Sequence, residues 1–220
     1  MVHNKQTFKS KEPVKMRFRE LAFGSHSIYL DYYVNGRRSY DLDADEVVRL
    51  SVSACRNPEV KRAFLFSCFT GLRISDIRGL RWKDFKRVGD AWYFSIVMQK
   101  TQEPIVNKMS EEAVKWLGPF DGKSGEQLVF SLPGMSCLEH IIAQWVRQAG
   151  IDKHVTFHTA RHSYATMALM AGADIYTISK LLGHKSIATT TVYAAVVDAQ
   201  RDAATDRVSS HFQARLKSLT

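Results

Sequence analysis

The sequence predicts a mostly helical α+β chain carrying two small antiparallel sheets. Three observations predict it. Apolar and charged residues alternate from Val14 to Arg19 and again from Ile28 to Val34, and the second run ends on Asn35-Gly36, a strong type I′ hairpin signal. From Asp43 onward the punctuation becomes helical: Asp43, Asn57, Ser110 and Asp174 stand where caps start helices, and Gly71, Gly172 and Gly183 where helices stop. Between those helices, Phe85 to Met109 returns to short strands turning at Gly89-Asp90 and around Lys100. The 220 residues suffice for one large domain, or for one domain and a small module, and 45% hydrophobic residues can build a proper core.

In chain order, residues 1–13 read as a polar, basic tail. Residues 14–42 read as a three-stranded sheet, with Lys15, Arg17 and Arg19 on the polar side of the first strand and Arg37, Arg38 and Tyr40 on the return strand. Taken alone, such a basic and aromatic face is either a solvated surface or a nucleic-acid contact. Asp43 with Glu46 forms a capping-box pattern at the next helix. Asn57-Pro58-Glu59 starts a helix with proline in its first turn, and that helix runs to Gly71. Arg73 then falls in a tight turn before a helix expected to be capped by Ser75, with Asp76 in its first turn. Ser110-Glu111-Glu112 starts another helix with acids favourably placed. Leu138, Ile141, Ile142, Trp145 and Val146 make a helical core stripe. Trp82, Trp92 and Trp116 are expected to pack rather than to stack on bases. Val208, Phe212, Leu216 and Leu219 mark an amphipathic C-terminal helix.

The formal net charge of +9 calls for a polyanionic partner, a property shared by ribosomal, membrane-surface and nucleic-acid-binding proteins. There is no apolar run of about 18 residues, so no membrane span is expected, and MVHNKQTFKSKEP has no signal-peptide core. Cys55, Cys68 and Cys137 are odd in number and not spaced as C-x-x-C, which predicts reduced, buried thiols in a cytoplasmic protein.

The stretch from His158 to Tyr193 carries the chemistry. His158 and Arg161 are three residues apart at a helix start and can share a face. His184 follows Gly183, and Tyr193 lies nine residues further on. Three short helices folded back on each other would bring His158, Arg161, His184 and Tyr193 together. Arginine fits phosphate oxygens with a planar fork, and tyrosine can serve as a covalent nucleophile. The combination suggests attack on a phosphodiester by Tyr193. No acidic cluster accompanies the histidines, which argues against a metal-dependent nuclease, and no metal or cofactor is called for.

These residues also carry a resemblance. His158-Thr-Ala-Arg161-His162-Ser163, Leu181-Leu182-Gly183-His184 and Thr189-Thr190-Thr191-Val192-Tyr193-Ala194 are similar to the arginine box, the following histidine box and the nucleophile segment of the tyrosine recombinases, or phage-type integrases, and most resemble integrases of conjugative transposons. Upstream, Thr70-Gly71-Leu72-Arg73-Ile74-Ser75-Asp76 resembles the family's first arginine box. The likeness reaches back to about Leu42. It implies the tyrosine-recombinase catalytic fold over residues 43–220, with Arg73, Lys100, His158, Arg161, His184 and Tyr193 as catalytic residues and Asp76 in support. Lys100 falls where the family carries its hairpin lysine, the general acid, with Lys108 as the alternative. The resemblance further implies site-specific recombination of double-stranded DNA, arm-type DNA binding by Lys15, Arg17, Arg19, Arg37 and Arg38, self-association on DNA through the C-terminal helix, accessory DNA-bending proteins, and a cytoplasmic, nucleoid-associated location. One departure stands out. In the family a helical core-binding domain separates the arm sheet from the catalytic domain; here the sheet runs directly into Leu42. That favours weaker binding at the core site, and an alternative in which the chain is a non-catalytic DNA-binding remnant or a competitor of a full-length integrase.

Overall fold

The computed structural model describes residues 41–120, 122–190 and 193, together with the backbone of three strands that precede them. Those strands, β1 (Val14–Glu20), β2 (His26–Val34) and β3 (Arg37–Tyr40), form an antiparallel sheet in the order β1-β2-β3, pairing Arg17 with Tyr29 and Tyr33 with Arg38. The sheet is the one the alternating runs predict. The side chains of Lys15, Arg17, Arg19, Arg37 and Arg38, the basic tail 1–13 and the C-terminal segment 194–220 lie outside the described residues.

The helices follow their sequence signals closely. Helix α1 (Ala44–Val52) begins with the expected capping box: Asp43 accepts from the Glu46 N–H at 2.8 Å, and Glu46 accepts from the Asp43 N–H at 2.9 Å. Helix α2 (Pro58–Thr70) is capped by Asn57, whose side chain accepts from the Val60 N–H, and ends at Gly71, which has a left-handed φ of 71°. A side chain there would also collide, because a Cβ would lie 2.6 Å from both Leu182 Cδ2 and Tyr164 Cδ1. Helix α3 (Ile74–Gly79) corrects one expectation. Its N-cap is Arg73, in extended conformation and without a side-chain cap bond, rather than Ser75. Ser75 falls inside the first turn, and the nearby carboxylate, Asp76, is directed to the amide of Gln99.

A 3₁₀ turn, Trp82–Asp84, leads into the second antiparallel sheet, β4 (Phe85–Val88), β5 (Ala91–Val97) and β6 (Pro104–Lys108), in that spatial order. Phe85, Phe94 and Ile105 face the core while Lys86, Ser95 and Val106 face out, the period-2 pattern of a half-buried sheet. Helices α4 (Glu111–Leu117), α5 (Met135–Gln148), α6 (Phe157–Met170) and α7 (Ile175–Leu181) complete the described fold, followed by a 3₁₀ turn at Ile187–Thr189.

The core is built around α2, whose Val60, Ala63, Phe64, Leu65, Phe66 and Cys68 are all buried; a helix apolar on nearly every side belongs inside a domain. Phe64 meets Trp145 and Phe157 edge-on, each at 5.7 Å between ring centres. Edge contacts of this kind add about 0.5–1.5 kcal/mol each beyond area burial. The expected stripe of α5 is buried, Trp82 is buried, and Trp92 and Trp116 pack partly buried against the same core. The cysteines are unpaired, but only Cys68 is buried; Cys137 is exposed on α5, against the expectation of three buried thiols. Position 137 lies in the first turn of α5, where the flanking residues Met135, Ser136 and Glu139 are also exposed. No described helix is long and apolar enough to cross a membrane.

Candidate active site

Arg161 is the structural centre of the site. It is 3% exposed, and it donates from Nη1 to the carbonyl of Gly71 and from Nη2 to the carbonyl of Leu182, each at 2.7 Å. Both carbonyls belong to helix ends, where backbone acceptors lack intrahelical partners. One guanidinium thereby joins the end of α2, the start of α6 and the end of α7. Burial first, and then the charge of Arg73, pulls its pKa down to about 9, so it remains charged at neutral pH.

Arg73 approaches from the turn that Gly71 permits. Its pKa is lowered by burial, with Asp76 opposing the shift. Arg73 Nη1 is buried and makes no hydrogen bond among the described residues. Two guanidinium groups held within electrostatic reach of each other, one with an unused buried donor, form a place suited to an anion. Asp76 is buried beside Arg73, and its Oδ1 accepts from the Gln99 N–H at 2.8 Å. It therefore ties the start of the β5–β6 turn, where Lys100 is exposed, to the Arg73 turn. Lys100 is among the charges that act on His158. Lys108, the alternative lysine, sits on β6 opposite Tyr93.

Three imidazoles border the guanidinium pair. His158 has its pKa lowered to about 4, by desolvation and then by Arg161, Arg73 and Lys100, although the residue is exposed on one side. His184 is likewise lowered to about 4, by desolvation and then by Arg161 and Arg73, and its Nδ1 lies 2.8 Å from Thr190 Oγ1. His162 was not among the residues expected to act, yet it makes the closest contact to the phenol: Tyr193 Oη lies 2.5 Å from His162 Nδ1. Desolvation and the surrounding cationic and imidazole groups hold His162 well below its ordinary pKa. The neutral ring can accept from the phenol at Nδ1 in one tautomer. The signal that could have found it is its spacing. His162 is four residues after His158 and shares a helix face with it; the two rings pack edge-on at 4.6 Å.

Tyr193 is 2% exposed and packs among Ala165, Leu169, Ile178 and Leu182. Burial raises its pKa, Asp41 raises it further, and Arg161 and Arg73 act the other way. The structure thus brings together Arg73, Arg161, His158, His184 and Tyr193, with Lys100 at the margin, Asp76 behind Arg73, and His162 added. Among the described residues no three or more of His, Cys, Asp and Glu converge as a metal-binding group.

The hairpin and α7 are also joined. Asn107 on β6 donates from its side chain to the Leu181 carbonyl at 2.9 Å. Gly183, with φ of 60°, lies so close to the hairpin that a Cβ would be 3.2 Å from both Ile105 Cγ2 and Met98 Cγ. His184 follows immediately.

Known proteins resemble the chain in sequence and in fold. The sequence profile of the phage integrase family matches residues 41–200. The chain is similar to the tyrosine recombinase XerC of Neisseria meningitidis serogroup B, at 36% identity over 137 residues, covering 56% of this chain and 43% of the relative. It is 31% identical over 140 residues to a tyrosine recombinase of Pseudothermotoga lettingae, covering 60% and 48%. Among solved structures, it superposes on XerA recombinase with a TM-score of 0.60 at 26% identity, over 76% of this chain and 62% of that one. The Tn1549 transposon integrase in complex with circular intermediate DNA shares the fold, with a TM-score of 0.52 at 20% identity over 70% and 60%. The chain spans less than half the length of the two curated relatives.

Proposed function

The chain belongs to the phage integrase family, and on that footing we propose that it cuts and rejoins double-stranded DNA at specific sites through a 3′-phosphotyrosine at Tyr193. The observation that carries this reading is the convergence of two guanidinium groups and neutral imidazoles on one buried phenol. Tyr193 Oη attacks the phosphorus, the bond to the 5′ oxygen breaks, and the DNA strand is held as a phosphodiester to the protein. The phenol has an ordinary pKa near 10, so ionising it at neutral pH costs roughly 4 kcal/mol, more where it is buried. Arg73 and Arg161 clamp the non-bridging oxygens and stabilise the pentavalent state. His184 donates to the same phosphate. Among the imidazoles, the distances favour His162 over His158 as the immediate proton acceptor, with His158 packed edge-on against it. Lys100 protonates the leaving 5′ oxygen, and Asp76 keeps Arg73 and the hairpin in register. Attack by a second DNA 5′-hydroxyl reverses the step, and exchange of strands makes it recombination.

The same reading makes residues 14–42 an arm-type DNA-binding sheet, with Lys15, Arg17, Arg19, Arg37 and Arg38 on phosphates or bases, and residues 43–220 the catalytic domain. It makes the C-terminal segment a docking helix for a second copy on DNA, with accessory DNA-bending proteins assisting in the cytoplasm. With only Asp41 to Asp43 between β3 and α1, the family's core-binding contacts are missing from this part of the chain. Affinity for the core site is then reduced, because counterion release scales with the number of phosphates contacted.

The test is covalent capture on nicked suicide duplexes from a panel of half-sites, read on denaturing gels. The wild type gives a protein–DNA adduct and Tyr193→Phe gives none while still binding DNA. An equal yield from the variant moves the nucleophile elsewhere. DNA binding with no adduct from either protein points to the non-catalytic competitor.

A further inference from the structure

We propose that Gln102 is a positioning residue for Lys100: it holds the peptide group that leads into the lysine, and so aims the lysine at the leaving 5′ oxygen. This deepens the proposed function and rests on the reading of Lys100 as the general acid.

The β5–β6 turn runs from Gln99 to Gln102, closed by the Met98 N–H, which donates to the Glu103 carbonyl at 2.9 Å. Gln102 has a φ of 57°, the one positive value at a non-glycine residue among the described residues. Glycine adopts that region freely, whereas a residue with a Cβ is penalised there. Conformations of this kind persist where the surroundings enforce them, and they cluster at functional sites.

What glutamine supplies is a double hold. Its N–H donates to the Met98 carbonyl and its side-chain Nε2 donates to the Gln99 carbonyl, each at 2.8 Å. Glycine would make the first bond but has no amide group for the second. The Gln99 carbonyl and the Lys100 N–H belong to one planar peptide unit. Fixing that plane fixes the direction in which the Lys100 side chain leaves the backbone.

The amide side of Gln99 is anchored as well. Its N–H donates to Asp76 Oδ1 at 2.8 Å, and its side chain lies so close to α3 that a Cβ on Gly79 would be 2.8 Å from Gln99 Nε2. Gln99 is thus fixed to α3 through its amide and to Gln102 through its carbonyl. Lys100 comes next, exposed at the tip. Its four-carbon stem is flexible, so the backbone beneath it decides where Nζ can reach. Nζ must meet the 5′ oxygen as the bond to phosphorus breaks, giving up one proton and becoming a neutral amine. A misplacement of about 1 Å can cost about 10²-fold in rate.

The experiment compares wild type, Gln102→Met, Gln102→Gly and Lys100→Ala. Gln102→Met keeps the length of the side chain and loses the donor. Gln102→Gly loses the donor and adopts the left-handed backbone more easily. Single-turnover covalent capture is run on two nicked duplexes, one with the ordinary 5′ oxygen and one with a bridging 5′ sulfur, which leaves without a proton. Both Gln102 variants are expected to be slowed about tenfold on the oxygen substrate, a part of the roughly 10²–10⁴-fold that a positioned proton donor contributes. On the sulfur substrate both are expected to match the wild type. In parallel, a duplex carrying a 5′ aldehyde at the cleavage position is incubated with each protein and reduced with cyanoborohydride, and the Lys100 adduct is quantified by peptide mass spectrometry. Its yield is expected to fall in both Gln102 variants. A wild-type rate on oxygen or an unchanged aldehyde yield in the variants overturns the proposal, as does an equal loss on both substrates, the mark of a turn that serves folding alone. If Lys100→Ala is slowed alike on both substrates, or no protein is captured, the general-acid reading fails, and the aldehyde yield still decides whether Gln102 aims Lys100.

Discussion

Tyr193 Oη and His162 Nδ1 lie 2.5 Å apart, a contact between groups 31 residues apart in sequence that closes the 3₁₀ region onto α6. Removing the ring leaves a buried hydroxyl without that partner. His162→Ala is therefore expected to slow covalent capture by about 10²–10⁴-fold, the range for losing a positioned proton acceptor. His162→Gln, which can still hydrogen-bond the phenol without taking its proton, should restore the stability of the segment but not the rate. Equal rates for wild type and both variants would remove His162 from the chemistry.

The depressed histidines make a pH prediction with a definite sign. His158 and His184 are held at about 4 in the folded chain against 6.5 ordinarily, and His162 is also held low. Between those values the unfolded chain binds more protons than the folded one, so stability rises with pH. It is fully present above about pH 6.5 and is lost progressively as pH falls towards 4. Thermal melts across that window should show a falling midpoint, shallower in a His158→Asn, His184→Asn double variant. A double variant that tracks the wild type would refute this account.

The two arginines should separate by their stability phenotype. Arg161 holds two backbone carbonyls and is buried, whereas Arg73 Nη1 makes no hydrogen bond among the described residues. Arg161→Ala should cost about 1–3 kcal/mol for each carbonyl left unsatisfied, as well as abolishing capture. Arg73→Ala should leave the urea midpoint nearly unchanged while reducing the capture rate by about 10²–10³-fold. Denaturation curves beside single-turnover rates check both halves.

Gly71→Ala tests the turn that presents Arg73. The left-handed φ and the 2.6 Å approaches to Leu182 and Tyr164 both penalise a methyl group. A loss above about 1–2 kcal/mol is expected from the backbone conformation alone. Urea titration measures it.

Asp76→Ala should free the amide of Gln99, now bonded at 2.8 Å. Faster hydrogen exchange at residues 99–101, with slower adduct formation, is the expected pair of results. Asp76→Asn, which keeps an acceptor, should protect the amide better.

Much of this was legible in the sequence because the signals are local. The Asp43–Glu46 capping box, the Asn57-Pro58 start and the Gly71 stop each depend on residues within one turn, and each lies where it was expected. Ser75 misled because a serine near a helix start usually caps it; here the extended conformation of Arg73 begins the helix earlier. Asp41 was invisible for the opposite reason. Its partner Thr166 is 125 positions away, and nothing adjacent to Asp41 hints at that contact. His162 was in plain view inside the His158–Arg161 motif, but its role depends on where a loop after α7 returns.

The bond from Asn107 to Leu181, with Gly183 pressed against Met98 and Ile105, makes the β5–β6 hairpin a lever rather than a free arm. Its long end carries Lys100 and its short end bears on the residue before His184. A load applied at the tip, such as a DNA strand leaning on Lys100, is delivered through that fulcrum to the opposite wall of the pocket. On the roles proposed for Lys100 and His184, the leaving-group side and the phosphate side are thereby geared together.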